Sequence, residues 1–341
     1  MKLLTKVPAA AMLWVLLLTG CHPDKLNVDI SDIETKPVEV MRFEKELFAL
    51  NYQDFDKQSA ELKSRYGNWY EYYLYSFLVK NGSSDTGYKK AVMNFVTDRN
   101  VSDCYKEVEK VFPSQALDEL EPEFNNCMKR FHYHFPKKRL PEKLITCVSG
   151  WNYAFAYAEG NMTVALDMYL GDTSRFYGML RYPHYMTRKM NSEYILPDIA
   201  RGWMLTEFDN SEASGTLLDH IIFYGKIYYA VKALLPEAAD SVVIGYTDPQ
   251  MDYCKRYEKN LWGYFAEKNR LYDTNLDALR ELTSEGPFTG AISKECPPRI
   301  GMWVGWQIVN SYMSNNPDVS LSQLMDEKDA KLILNKSRYR P

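Results

Sequence analysis

The sequence contains no CxxC pair, no G-x-S-x-G, no G-x-G-x-x-G and no P-loop. The first absence excludes zinc ribbons and thioredoxin-type redox sites. The second removes the nucleophile elbow, and the other two remove the phosphate-cradling loops of nucleotide-binding folds. There is no internal repeat and no low-complexity tract. Basic residues do not cluster beyond the KKR of 137–139, which reads as a solvated turn. With a formal charge of −4 the chain has no electrostatic footprint for nucleic acid. Nor does it hold an apolar run of the roughly 20 residues that a spanning helix needs.

What is present begins with an address. Lys2 and Lys6 precede an uncharged apolar run over 7–18, the n-region and h-region of an export signal. The run ends at Leu18-Thr19-Gly20-Cys21, a small pair before a cysteine and therefore a bacterial lipobox. Residues 1–20 are read as a lipoprotein signal peptide, cut before Cys21, which then carries a diacylglycerol thioether and an N-acyl chain such as palmitate. Several acyl chains hold a protein on a membrane where one is marginal. The alternative is an ordinary secretory signal followed by a chance cysteine. Loss of Lys2 and Lys6 with the signal moves the formal charge from −4 to −6.

Residues 21–37 are polar and end in Pro37, a tether from the lipid anchor. From residue 38 the pattern is helical, with Phe43, Leu47 and Leu50 on one face. Two helices are expected across 54–79, broken near Gly67, and further helices near 86–97, 102–111 and 114–134, the last capped by Ser114 with Asp118. At 142–168 the period changes. A β-rich segment precedes two strand-like runs around Glu159-Gly160-Asn161, a hairpin turn. Helices return near 183–190, 193–208, 214–235, 249–270, 298–315 and 320–335. The expected fold is therefore α+β, mostly helical with a small antiparallel sheet. The expected lobes are a helical one over 38–140 and an α+β one over 141–341. Five cysteines follow Cys21, an odd number that cannot all pair. Cys104 with Cys127, on neighbouring helices, is the simplest pairing; five buried free thiols are the alternative.

The segment 297–313, PPRIGMWVGWQIVNSYM, has two prolines and Arg299 leading into a run with hardly a charge. Its apolar residues, Trp303 and Trp306 among them, cover most of a helical circumference, the mark of a buried helix. Gly301 and Gly305, four apart, share a face that another helix can approach closely. No nucleophile or base lies in it, so packing is its expected role.

That segment, within 287–325, resembles the C-terminal signature of the gliding motility lipoprotein B (GldB) family. Residues 165–203 (ALDMYLGDTSRFYGMLRYPHYMTRKMNSEYILPDIARGW) and 217–265 look like its central blocks, and 38–50 (VEVMRFEKELFAL) is similar to its opening. The resemblance implies an envelope lipoprotein of a gliding or secretion apparatus, with machinery proteins as partners and no cofactor. It also implies a faint likeness to zinc peptidases, in which a hairpin precedes a helix bearing H-E-x-x-H. Here Pro197, Asp198 and Arg201 stand where His, Glu and His would be, and neither proline nor arginine ligates zinc. Asp198 and Arg201, three apart, are expected to pair or to cap that helix. The scaffold is thus read as a zinc-peptidase fold without its ligands, non-catalytic, at the periplasmic face of the outer membrane.

Two other readings compete. One is a metal-dependent hydrolase using His132 and His134, which face one side if the segment is extended, with His220 as a further candidate, whereas His184 follows Pro183 in an expected loop. The other is a periplasmic glycan-binding lipoprotein, drawing on 26 tyrosines and clusters such as WYEYYLYSF at 69–77, with Asp167 and Asp172 as carboxylates flanking the hairpin.

Overall fold

The computed structural model describes residues 26–208 and 215–341. The signal-peptide reading, Cys21 included, lies outside the described residues. The fold is α+β and mostly helical.

Its centre is a four-stranded sheet of β1 (Val40–Arg42), β2 (Leu144–Cys147), β3 (Phe155–Ala158) and β4 (Asn161–Ala165), in the order β1-β2-β4-β3. The sheet is mixed, which corrects the antiparallel expectation. β1 runs parallel to β2 and β2 parallel to β4, so only the β3–β4 hairpin is antiparallel. Local pattern reveals hairpins, whereas β1 pairs with β2 across a crossover of about 100 residues. β1 lies in 38–140 and its partners in 141–341, so the sheet spans residue 140.

Every residue of β2 and β4 is buried, because both faces of the sheet are covered. Ile145, Cys147 and Ala165 pack on an N-terminal aromatic core of Phe43, Trp69, Tyr70 and Tyr73. The Phe43 ring meets those of Trp69 and Tyr73 edge-on at 4.9 and 4.7 Å. Trp69 Nε1 donates to Thr163 Oγ1 at 2.7 Å, and the Tyr73 hydroxyl to the Val148 carbonyl at 2.7 Å. The 69–77 aromatics include core residues, although Tyr75 is exposed. Leu144, Met162, Val164 and Leu166 alternate onto the opposite face and its larger core. There the Phe131 and Trp203 rings stack at 3.8 Å.

That second core is organised by the Leu217–Leu234 and Ile300–Asn315 helices. Both are apolar nearly all round and are buried accordingly. They cross at glycines. A Cβ on Gly305 would penetrate the Ile221 carbonyl, and one on Gly225 the Gly305 carbonyl. A Cβ on Gly301 would lie 3.0 Å from both Ile221 Cγ2 and the Leu282 carbonyl.

Several boundaries differ from the sequence reading. Ser114 does not cap a helix with Asp118. Ser114–Leu117 is a 3-10 turn, and the helix starts afresh at Leu120–His134. The stretch 249–270 is broken between Asp248–Arg256 and Glu258–Ala266, and Leu276–Thr283 is an additional helix. Cys104 and Cys127 are not bridged. All five described cysteines are free and buried, and burial raises the Cys127 thiol to about 12, which makes it inert.

Candidate functional site

The most concentrated chemistry lies at one end of the Ile195–Glu207 helix. Asp198 and Arg201 sit on it three residues apart, and Arg201 Nη2 contacts Asp198 Oδ1 at 2.5 Å. The other carboxylate oxygen, Oδ2, accepts from the Tyr169 hydroxyl at 2.9 Å. Burial opposes the Arg201 charge more than any single partner favours it, but Asp198 together with Tyr228, Tyr169 and Glu285 outweighs burial, so the guanidinium is held cationic. Tyr169 is pushed well up by burial and by the adjacent carboxylate, so it stays a neutral donor.

Arg299 approaches from the other side. It precedes the Ile300–Asn315 helix with φ 54, a left-handed conformation unusual outside glycine. Two prolines before it and a helix after it fix that turn. Thr289 Oγ1 donates to the Pro297 carbonyl at 2.6 Å, and the Tyr246 hydroxyl to that of Pro298 at 2.5 Å. The turn directs the side chain inward, where only 5% of the residue is exposed. Arg299 Nη1 donates to the Tyr228 hydroxyl at 2.9 Å and Nη2 to the Ile244 carbonyl at 2.9 Å. Its Nε lies 3.1 Å from Glu285 Oε1, which also meets Lys189 Nζ at 2.6 Å. Burial would raise the Glu285 carboxyl, but Arg299 and Lys189 draw it below its ordinary value. Burial and the neighbouring Arg299 lower Lys189. Next in sequence, Arg188 Nη2 donates to the Gly245 carbonyl at 2.9 Å.

Four cations and two carboxylates thus draw together the central block (Arg188, Lys189, Asp198, Arg201), the next block (Tyr228, Ile244, Gly245), the C-terminal one (Arg299) and Glu285 just ahead of it. The profile of the family described as gliding motility protein GldB matches residues 23–341. The chain belongs to the GldB family. As a GldB-family protein it is a lipoprotein connected with gliding motility. No curated protein matches it. No solved structure matches it either, and the zinc-peptidase likeness finds no support. No helix among the described residues is long and apolar enough to cross a membrane.

The remaining candidates are scattered. Trp303 and Trp306 are core residues at 2% exposure, and the Trp306 ring lies 5.6 Å from that of Tyr228. His132 and His134 close the Leu120–His134 helix rather than an extended segment, and positions two apart on a helix do not face one way. His134 is half-buried, its Nε2 has no partner, and burial lowers its pKa to about 4. His184 begins a short helix and His220 lies on the Leu217–Leu234 helix. No three His, Cys, Asp or Glu side chains among the described residues gather as metal ligands would. Asp172 is exposed while Asp167 is fully buried. Asp167 accepts from the Ser149 and Trp151 amides at 2.9 and 2.7 Å. It therefore clamps the loop leaving β2, where Gly150 and Trp151 both have positive φ. Burial raises its pKa to about 6 against those hydrogen bonds. Glu285, Lys189 and Tyr228 escaped the sequence reading. Lys189 and Tyr228 are only a charge and a hydroxyl inside otherwise distinctive blocks, and Glu285 lies just before the C-terminal one.

Proposed function

We propose that the protein is a non-catalytic structural or interaction component of the gliding or secretion apparatus, anchored through Cys21 to the periplasmic face of the outer membrane. The family match over residues 23–341 carries this reading. The lipobox at 18–21 supports export and lipidation, and the absence of a strong acidic run after Cys21 favours the periplasmic face. The charged cluster supports a structural use. Its charges pair with one another, with hydroxyls and with carbonyls of other blocks, which suits a clasp better than a site with an activated nucleophile.

Proximity labelling from the mature protein in living cells tests the role. Motor or secretion components of the envelope should dominate the labelled set. Labelling confined to unrelated soluble periplasmic enzymes, or peptide hydrolysis by the purified protein that Asp198→Asn abolishes, would overturn it.

A further inference from the structure

A second feature lies beside the clasp. A groove of about 690 Å³ opens between the start of the Leu120–His134 helix, the start of the Ile195–Glu207 helix and the end of the Leu217–Leu234 helix. Leu117, Leu120, Leu196 and Leu235 supply an apolar floor. Four carboxylates, Glu119, Glu123, Glu193 and Glu237, are exposed along its lining. None of the four is in an ion pair among the described residues. Arg130 is the one cation in the lining, and its Nε is buried without an acceptor.

We propose that this groove binds an extended, cationic peptide segment of a partner protein. The occupant's chemistry is dictated by what the groove leaves unsatisfied. The leucine floor calls for apolar side chains. Four unpaired carboxylates against one guanidinium call for lysine or arginine beside them and repel an anionic lipid surface. An extended segment turns successive side chains to opposite sides, so it can set apolar residues on the leucine floor and cationic ones beside the carboxylates. Leu196 lies two residues from Asp198, so the floor of the groove and the clasp share the first turn of one helix. The inference rests on the interaction role proposed above, to which it gives a surface and a partner chemistry.

The test uses the lipidated full-length protein in detergent and a fluorescein-labelled peptide of repeating Lys-Leu-Pro, in which proline prevents helix formation. Fluorescence anisotropy should show saturable binding. A Lys-Ser-Pro peptide and a Glu-Leu-Pro peptide should each bind about tenfold more weakly or not at all. The double variant Glu123→Lys/Glu237→Lys should weaken Lys-Leu-Pro binding by about tenfold or more. Glu61→Lys/Glu281→Lys makes the same charge change at exposed positions outside the groove lining, and should leave binding unchanged. A photo-crosslinker replacing Ala116 should capture the peptide. No binding, equal loss in the two double variants, equal binding of Lys-Ser-Pro, or no crosslink at 116 would each overturn the groove assignment. None of these outcomes bears on the proximity labelling, so failure of the groove and failure of the interaction role remain distinguishable.

Discussion

At the scale of single residues, buried charge and backbone strain coincide at Arg299. Removing its side chain strands the Tyr228 and Ile244 partners and leaves Lys189 alone with Glu285. Arg299→Ala should therefore destabilise the fold by about 3 kcal/mol. Arg299→Gly loses the same contacts but relaxes φ 54, and should be milder by about 0.5–1 kcal/mol. Urea unfolding of both variants checks this; equal losses would mean that the left-handed turn carries no strain. His134 predicts a pH dependence. Its folded pKa is pushed from 6.5 to about 4, first by burial and then by Arg130. The stability it contributes is complete above pH 6.5 and is lost as pH falls towards 4. Asp167 acts oppositely. Its folded pKa is raised from 3.8 to about 6, so its contribution is fullest below 3.8 and falls as pH rises through 6. Comparing wild type with His134→Phe at each pH cancels Asp167. Between pH 7 and 4.5 the wild type should lose about 1–2 kcal/mol more than the variant, allowing for partial exposure. Parallel pH profiles would exclude a neutral buried imidazole.

At the scale of elements, the crossing of the two apolar helices decides how much of the larger core can form. Gly305 faces backbone, the Ile221 carbonyl, which cannot rotate away. Gly305→Ala should cost about 1–3 kcal/mol or more, Gly305→Leu still more, and Gly301→Ala less, because one of its two close neighbours is the methyl Ile221 Cγ2. Thermal melts and steady-state abundance give the order. Normal melting of Gly305→Leu would contradict so close a crossing. The Ile195–Glu207 helix carries a different expectation. With Pro197 and Arg201 in place of ligands and Asp198 occupied by Arg201, it offers no set of three donors. Elemental analysis of the purified protein should find no stoichiometric zinc, and chelators should leave its melting temperature unchanged. One zinc per chain, lost together with stability, would restore the hydrolase reading.

At the scale of the whole molecule, a two-sided sheet joins an aromatic N-terminal core to a larger helical one, and the proposed lipid anchor at Cys21 precedes both in sequence. Cys21→Ala should abolish metabolic labelling with palmitate and move the protein out of the membrane fraction. The folded part should be untouched, because the described core begins at Val38. A variant still lipidated and cut at the same point would end the lipobox reading.

The sequence by itself determined the features that depend on neighbours in the chain. The hairpin turn at Glu159-Gly160 and the buried character of the Ile300–Asn315 helix are both written in local order, period and composition. The family too was legible, because long strings carry it. Tertiary structure alone decided what depends on partners distant in sequence. A three-residue strand beside a helix has no period to read, so β1 and the parallel pairing could not be anticipated. Cys104 and Cys127, which the sequence places on successive helices, remain buried free thiols. Asp198 with Arg201 was visible as a pair three residues apart. Arg299 with Glu285, Tyr228 and Lys189 was not, because a charge becomes a clasp only when folding removes water from around it and leaves those partners within reach.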